Sequence, residues 1–143
     1  MGVTKVFLDT NILIYLFEDP GPRGTRALEI VSALTTRRDY LGVSTMTLGE
    51  ILVKPLRAGD LALADQYRQF LHGPGVTLLG FDEKAGELFA QIRKDRIVRA
   101  PDAIQLATAG SEGCDLFITN DERLSRCFVP GIRFITSMER APL

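Results

Sequence analysis

Short apolar runs alternate along the chain with stretches in which apolar residues recur every three or four positions. The apolar runs predict β-strands at 3–8, 40–43, Val76–Leu79, 116–118 and 132–135, with helices between them. The first run is mostly apolar, which is typical of a strand that is buried on both faces of a sheet. Because helices separate the strands, the connections are crossovers. The pattern therefore predicts an α/β three-layer domain, with a central parallel sheet of four or five strands flanked by helices.

Two of the predicted helices have distinctive sequences. One starts at about Thr47, and Pro55 is expected to interrupt or end it, since proline lacks the amide donor that a helix interior uses. The stretch 103–109 has small or apolar residues on nearly every side, which predicts a central, closely packed helix. No internal repeat or interdomain linker is visible, so residues 1–143 are expected to form one domain.

The composition is that of a folded protein with a packed interior. Hydrophobic residues make up 45% of the chain and charged residues 24%, which excludes intrinsic disorder as the overall state. The net charge of -1 gives no support for a basic protein that coats DNA, but a metal ion could still supply positive charge to a nucleic-acid enzyme. No basic segment followed by a long apolar stretch begins the chain, so a cytoplasmic location is expected.

The cysteines and the single histidine do not suggest zinc or nucleophilic catalysis. Cys114 and Cys127 form no CxxC pair, and neither adjoins His72, so they are expected to be free thiols in a reducing cytosol. His72 lies in the segment HGPG, where a helix end followed by a turn is predicted. We therefore interpret His72 as a C-terminal cap, and a Ser–His or Cys–His arrangement is not expected.

Four acidic residues occupy positions that a parallel sheet brings to one edge. Asp9 ends the first strand, Asp121 follows the fourth, and Asp102 begins the closely packed helix. Glu50 lies early in the helix after the second strand. Ligands of open α/β sheets bind outside the carboxyl ends of the strands, so these four carboxylates could converge there. Two other acids are different: Asp82 is expected to cap the next helix beside an edge strand, and Asp115 precedes its strand and so lies at the opposite end.

Each of the four acids also has a purely structural interpretation. Asp9 and Asp121 could cap the helices that follow them. Thr47 and Glu50 match a capping box, and Asp102 fits the first turn of its helix, where the helix dipole favours an anion. Together, however, four carboxylates in one pocket would raise one another's pKa unless a cation offsets them. Because all the ligands would be oxygen atoms, the pattern favours Mg²⁺ or Mn²⁺ over zinc.

Four segments of the chain, in order, resemble a known family. They are VFLDTNILIYLFE, STMTLGEIL, APDAIQLATA and LFITNDERL, and they resemble PIN-domain ribonucleases, most of all the VapC-type toxins of type II toxin–antitoxin modules. The resemblance implies a PIN-like domain and a Mg²⁺- or Mn²⁺-dependent endoribonuclease that leaves a 5′-phosphate and a 3′-hydroxyl. It also implies an RNA substrate, a small cognate antitoxin protein and a homodimer. The catalytic and metal-binding quartet implied by the resemblance is Asp9, Glu50, Asp102 and Asp121, supported by Thr10, Asn11, Thr119 and Asn120.

A basic cluster just ahead of Asp102 is the candidate RNA-binding segment. Arg96 and Arg99 could deliver RNA to the acids, together with Arg93 and Lys94, although the same residues could simply form the solvated end of a helix. The large aromatic residues Tyr15, Phe17, Tyr67 and Phe70 are expected in the core rather than as platforms for bases.

Several other functions remain open or are disfavoured. A catalytically silent PIN-like scaffold that binds RNA or protein, and a nuclease acting on DNA or in RNA processing, stay as alternatives. A phospho-accepting receiver domain needs an acidic pair near the first strand, where Asp9 stands alone. A phosphatase of the haloacid dehalogenase type needs a second aspartate where this chain has Asn11.

Overall fold

A computed structural model describes residues 4–143 and shows a five-stranded parallel sheet. The strands are β1 (Lys5–Leu8), β2 (Tyr40–Ser44), β3 (Val76–Leu79), β4 (Cys114–Ile118) and β5 (Ile132–Thr136). Their order across the sheet is β3-β2-β1-β4-β5, and every neighbouring pair is parallel. The predicted strands are confirmed, with bounds that differ by one or two residues. Residue 3 of the first predicted strand lies outside the described residues.

Helices pack on both faces of the sheet and complete the three-layer architecture expected from the sequence. The part of the chain that the structure describes contains α1 (Thr10–Glu18), α2 (Pro22–Arg37), α3 (Thr45–Ala58), α4 (Leu61–Leu71), α5 (Glu83–Arg93) and α6 (Ala100–Glu112). A short 3₁₀ turn, Leu124–Arg126, lies between β4 and β5. None of the helices in the described range 4–143 combines the length and the apolar character needed to cross a lipid bilayer.

The alternation of side chains along β1 divides the interior into two cores. Val6 and Leu8 pack with apolar residues of α1, α2, α3 and α4 on one face of the sheet. Phe7 packs on the other face with apolar residues of α5 and α6. Because β1 is covered on both sides, its end is rigidly placed between β2 and β4. The expected core positions of the aromatic residues are also confirmed, since Tyr67 is fully buried and Tyr15, Phe17 and Phe70 pack against the first core.

Two expectations about α3 are wrong. The helix continues through Pro55 and ends only at Ala58. Thr47, Ile51 and Pro55 are all buried at four-residue spacing, so the proline ring packs as part of the helix's buried face and offsets the missing amide donor. Thr47 and Glu50 do not form a capping box. The N-cap is Ser44, whose hydroxyl accepts a hydrogen bond from the Thr47 amide at 3.1 Å, and this places Glu50 in the second turn.

Several other local expectations hold, although the position of Asp115 differs slightly from the expected one. Asp82 caps α5 by accepting from the Ala85 amide, and His72 caps the end of α4. Cys114 and Cys127 are free thiols. Asp115 lies inside β4 rather than before it, but it remains at the amino end of the sheet, where it accepts from the Lys5 amide at 2.8 Å.

Candidate active site

The site begins where β1 and β4 end side by side. Leu8 pairs with Ile118, and the Asp9 amide donates to the Ile118 carbonyl at 2.9 Å, so Asp9 and Thr119 leave the sheet together. Asp9 caps α1: its Oδ1 accepts from the Thr10 amide at 2.8 Å, and its Oδ2 accepts from the Thr119 hydroxyl at 2.7 Å. The side chain therefore has both a structural role as a cap and a fixed orientation.

Asp9 is a buried carboxyl with a perturbed pKa. The residue is only 6% exposed. Burial raises the pKa of Asp9 to about 6, the hydrogen bonds from Thr119 and Thr10 oppose this, and the charges of Asp102 and Glu50 raise it further. The capping interpretation is thus correct but incomplete, because a cap exposed to solvent would not be perturbed in this way.

Glu50 is an exposed residue of α3, and its carboxylate contacts side chains from two other helices, α1 and α6. Its Oε1 accepts from the Thr10 hydroxyl at 2.6 Å and from the Gln105 amide group at 3.2 Å. Gln105 also contacts the Thr10 and Thr47 hydroxyls at 2.9 and 2.7 Å, and accepts from Ser44 at 2.5 Å. This polar network, buried at Ser44, Thr47 and Gln105, connects α1, α3 and α6.

Gln105 is a site residue that the sequence analysis missed. It is 4% exposed and has a hydrogen-bond partner for each end of its amide group. A signal for it was present, since Gln105 is a long polar side chain within the otherwise small and apolar stretch 103–109. It also follows Asp102 by three residues, which places the two side chains on adjacent positions of one helix face.

Asp102 lies in the first turn of α6, as expected, next to a cation of the same chain. Its carboxylate is 3.8 Å from the Arg99 guanidinium. Burial raises the pKa of Asp102, Arg99 opposes the rise, and the charge of Asp121 adds to it. Arg99 itself is exposed, so its charge is available to a ligand at this edge of the sheet.

Asp121 is paired more tightly, with Arg123. The Arg123 Nη2 and Nε atoms donate to the two Asp121 oxygens at 2.7 and 3.0 Å, and these contacts lower the pKa of Asp121. The Arg123 amide also donates to Asp121, at 3.0 Å. Asp121 therefore stabilises a turn before the 3₁₀ segment, and the interpretation of Asp121 as the cap of an α-helix is wrong.

The two asparagines support the loop after β4 rather than the carboxylates. Asn11 accepts from the Asn120 amide at 3.3 Å, and the Asn120 side chain donates to the Tyr15 hydroxyl at 2.9 Å. The side-chain oxygen of Asn11 is therefore used by the backbone of this loop, and among residues 4–143 no hydrogen bond joins Asn11 to any of the four carboxylates. Thr119 does contact a carboxylate, and its hydroxyl also accepts from the Asp121 amide at 3.1 Å.

The four acids lie near enough for their charges to act on one another. Asp102 and Glu50 raise the pKa of Asp9, and Asp121 and Glu50 raise that of Asp102. Within residues 4–143, however, no three Asp, Glu, His or Cys side chains lie close enough to enclose a metal ion as they stand. The donor chemistry fits a hard divalent ion, because every acid offers oxygen and no cation among the described residues forms a salt bridge with the buried Asp9 carboxylate.

The basic segment ahead of α6 is partly structural. The Arg93 guanidinium donates to the Val98 carbonyl at 2.6 Å and so fixes the connection between α5 and α6. Arg96 is exposed and adopts a left-handed backbone conformation, with φ 59°, in this connection. A cleft of about 710 Å³ opens beside Asp102, between this connection and the segment 123–130. The sequence analysis did not identify this cleft.

Comparisons with known proteins agree with the fold. A family model described as "PIN domain" matches residues 6–127. VapBC2 from Rickettsia felis, bound to a promoter DNA fragment, has a TM-score of 0.75 at 16% identity, over 92% of this chain and 97% of that one. A toxin–antitoxin complex from Klebsiella pneumoniae gives 0.66 at 26% identity, over 89% and 94%. VapC20 from Mycobacterium tuberculosis, described as a sarcin-ricin loop cleaving toxin, gives 0.60 at 16% identity, over 78% and 86%. No curated protein matches the chain in sequence.

Proposed function

The chain belongs to the PIN domain family, and from this we propose that it is a divalent-metal-dependent endoribonuclease that acts as the toxin of a toxin–antitoxin pair. The observation that carries the proposal is the environment of Asp9. Its carboxyl is buried, and each of its two oxygens accepts a hydrogen bond. Burial raises the pKa of this carboxyl, and the charges of Asp102 and Glu50 raise it further. Perturbed acids at the carboxyl end of a parallel sheet are typical of catalytic sites.

The acidic quartet would hold the metal. Asp9 and Asp102 would bind the principal Mg²⁺ or Mn²⁺, and Asp121 and Glu50 would complete the site through water or help to hold a second ion. When bound, the ion would lower the pKa of an attacking water and neutralise charge on the scissile phosphate. The sequence order of the acids and their shared oxygen chemistry support this assignment.

The surrounding residues would position the reacting groups. Thr119 holds one oxygen of Asp9 in place, and Thr10 and Gln105 hold the Oε1 atom of Glu50. Among the described residues, no side chain or backbone amide hydrogen-bonds to the other oxygen of Glu50, so that oxygen can accept a proton from a water molecule. Arg99 is exposed next to Asp102 and would contribute a phosphate contact. By analogy with the family, hydrolysis would leave a 5′-phosphate and a 3′-hydroxyl.

The partners are inferred from the relatives. The Klebsiella pneumoniae structure is a toxin–antitoxin complex, and its likeness covers most of both chains. We therefore infer that a small cognate antitoxin binds this chain. From the resemblance to the VapC-type family we further propose that the chain forms a homodimer and acts in the cytoplasm.

A cleavage assay tests the proposal directly. The purified chain should cut single-stranded RNA in Mg²⁺ or Mn²⁺ and be inactive in EDTA, and Asp9→Asn and Asp102→Asn should each abolish cleavage. Asp82→Asn is the matched control, because Asp82 also caps a helix but lies away from the quartet. Wild-type rates in either site variant, or no metal-dependent cleavage at all, would refute the proposal. The second result would favour a silent RNA- or protein-binding scaffold, and cleavage of DNA alone would indicate a deoxyribonuclease.

A further inference from the structure

The cleft beside Asp102 has an unusual rim of exposed apolar side chains. Phe128 is 89% exposed and Ile97 is 80% exposed, and both line the cleft. The interior of the cleft is apolar, with buried Val98, Leu124 and Val129 in its wall. Large exposed apolar side chains around a cleft are a common mark of a ligand-binding surface.

The charge of the cleft lining is positive although the protein as a whole has a net charge of -1. Lys94, Arg99, Arg123 and Arg126 line the cleft, against the carboxylates of Asp95 and Asp102. Lys94 and Arg126 are exposed, and neither forms a salt bridge among residues 4–143. A flexible anionic ligand with flat apolar parts fits this lining better than a cationic or purely apolar one.

The cleft is continuous with the acidic quartet. Asp102 belongs to both, and Arg99 and Arg123 line the cleft while contacting Asp102 and Asp121. A chain whose scissile phosphate lies at the acids would therefore extend its next nucleotide into the cleft. The volume of about 710 Å³ falls in the range of sites that enclose small organic ligands, and a nucleotide fits within it.

We propose that this cleft is the subsite for the nucleotide next to the scissile phosphate of single-stranded RNA, with the Phe128 ring stacked on the base. Arg126 and Lys94 bind the phosphate on the far side of that nucleotide. The inference rests on the proposed ribonuclease function and adds the residues that bind the substrate. Bases splayed from a single strand are commonly bound by aromatic rings, and arginine and lysine follow the backbone.

Direct binding measurements test the role of Phe128 without cleavage. The probe is a short, fluorescein-labelled single-stranded RNA, titrated in EDTA and followed by fluorescence anisotropy. Phe128→Leu keeps the apolar surface but removes the ring, and it should weaken RNA binding about 5- to 100-fold, whereas Phe128→Tyr should keep wild-type affinity. Phe134→Leu is the matched control, because Phe134 is 62% exposed on β5 but does not line the cleft.

Two further measurements identify the contact. The chain has no tryptophan, so Phe128→Trp introduces a single tryptophan, which can be excited selectively and whose emission should be quenched by a stacked base. Arg126→Gln should make the dependence of log Kd on log salt concentration shallower by about 0.7, the value expected for one lost phosphate contact with a single strand.

The outcomes separate this inference from the proposed function. If RNA binds Phe128→Leu as tightly as wild type, the inference is wrong even where the chain cleaves RNA through Asp9. If Phe128→Leu loses RNA binding and Phe134→Leu does not, but the chain has no metal-dependent cleavage, the cleft stands as a nucleotide-binding site and the nuclease assignment fails. The Phe128→Leu variant could instead bind RNA as tightly as wild type but lose self-association or binding to a peptide. This result would assign the cleft to a protein partner.

Discussion

Replacing Asp9 by asparagine should abolish RNA cleavage and at the same time make the metal-free protein more stable. The two effects have one cause, because the buried carboxylate that would bind the ion is costly to keep charged in its absence. Asparagine has nearly the same shape and remains a good helix cap. Its oxygen can accept from the Thr10 amide as before, and its amide group can donate to the Thr119 hydroxyl.

The size of the stability effect follows from the pKa. Burial raises the pKa of Asp9 from 3.8 to about 6, so the folded state binds its proton more tightly than the unfolded state does. The contribution of Asp9 to stability is therefore greatest below pH 3.8 and is lost as the pH rises through about 6, and the full loss of this contribution at neutral pH is about 3 kcal/mol. Asp9→Asn should recover about 1 to 3 kcal/mol of unfolding free energy at neutral pH and almost nothing in acid.

Urea unfolding in EDTA, followed by circular dichroism at about pH 4 and about pH 8, measures this difference. The stabilities of wild type and Asp9→Asn should nearly agree at the lower pH and separate at the higher one. Adding Mg²⁺ should then stabilise the wild type by mass action and leave the variant largely unaffected. Asp82→Asn changes an equivalent cap away from the quartet and should show neither effect.

The opposite stability result would refute this reasoning. If Asp9→Asn is less stable than wild type at neutral pH, Asp9 acts mainly as a helix cap, and the carboxylate is not strained by burial. A stability difference that does not change with pH would lead to the same conclusion, since the Asp9 carboxyl is the one titratable group by which the two proteins differ.

Three further substitutions address the support of the site. Gln105→Leu should lower the unfolding free energy by about 1 to 3 kcal/mol in urea, because it removes hydrogen bonds from the buried Ser44 and Thr47 hydroxyl groups, and RNA cleavage should also fall. Thr119→Val removes the hydrogen bond that lowers the pKa of Asp9, so the acidic limb of the profile of kcat/KM against pH should move to higher pH. Arg123→Gln removes the cation paired with Asp121, and Mn²⁺ should then bind severalfold more tightly in a calorimetric titration. Unchanged unfolding of Gln105→Leu, an unmoved pH profile of Thr119→Val, or weaker Mn²⁺ binding by Arg123→Gln would each contradict the corresponding expectation.

Most of the fold could be predicted because one physical rule, burial, determines it. The run at 3–8 is mostly apolar. It contains β1, which has helices on both sides. The two errors in α3 arise where a local rule competes with packing. Pro55 was expected to break the helix, but its ring fills a buried position. Ser44 and Thr47 both fit the sequence pattern of a cap, and only the backbone geometry at the end of β2 selects Ser44.

The candidate site could be predicted less completely than the fold. The positions of Asp9 and Thr119 follow from parallel strands that end together, which a sequence pattern can indicate. The contacts of Gln105 depend on how α1, α3 and α6 approach one another, and the pairing of Arg123 depends on the turn after β4. Such contacts between elements distant in sequence have no local signature, so they required the structure.

The four acids at this edge of the sheet differ in what surrounds their charges. Asp9 is buried, and its raised pKa reduces its charge in weakly acidic solution. Glu50 is stabilised by neutral hydrogen-bond donors, whereas Asp102 and Asp121 each lie next to an arginine. A metal ion that bound all four acids would therefore have to compete with two arginine contacts. Its gain would be the counter-charge that it supplies to the desolvated Asp9 carboxylate. For this reason we expect the burial of Asp9, more than the number of acids, to favour a metal ion at this edge of the sheet.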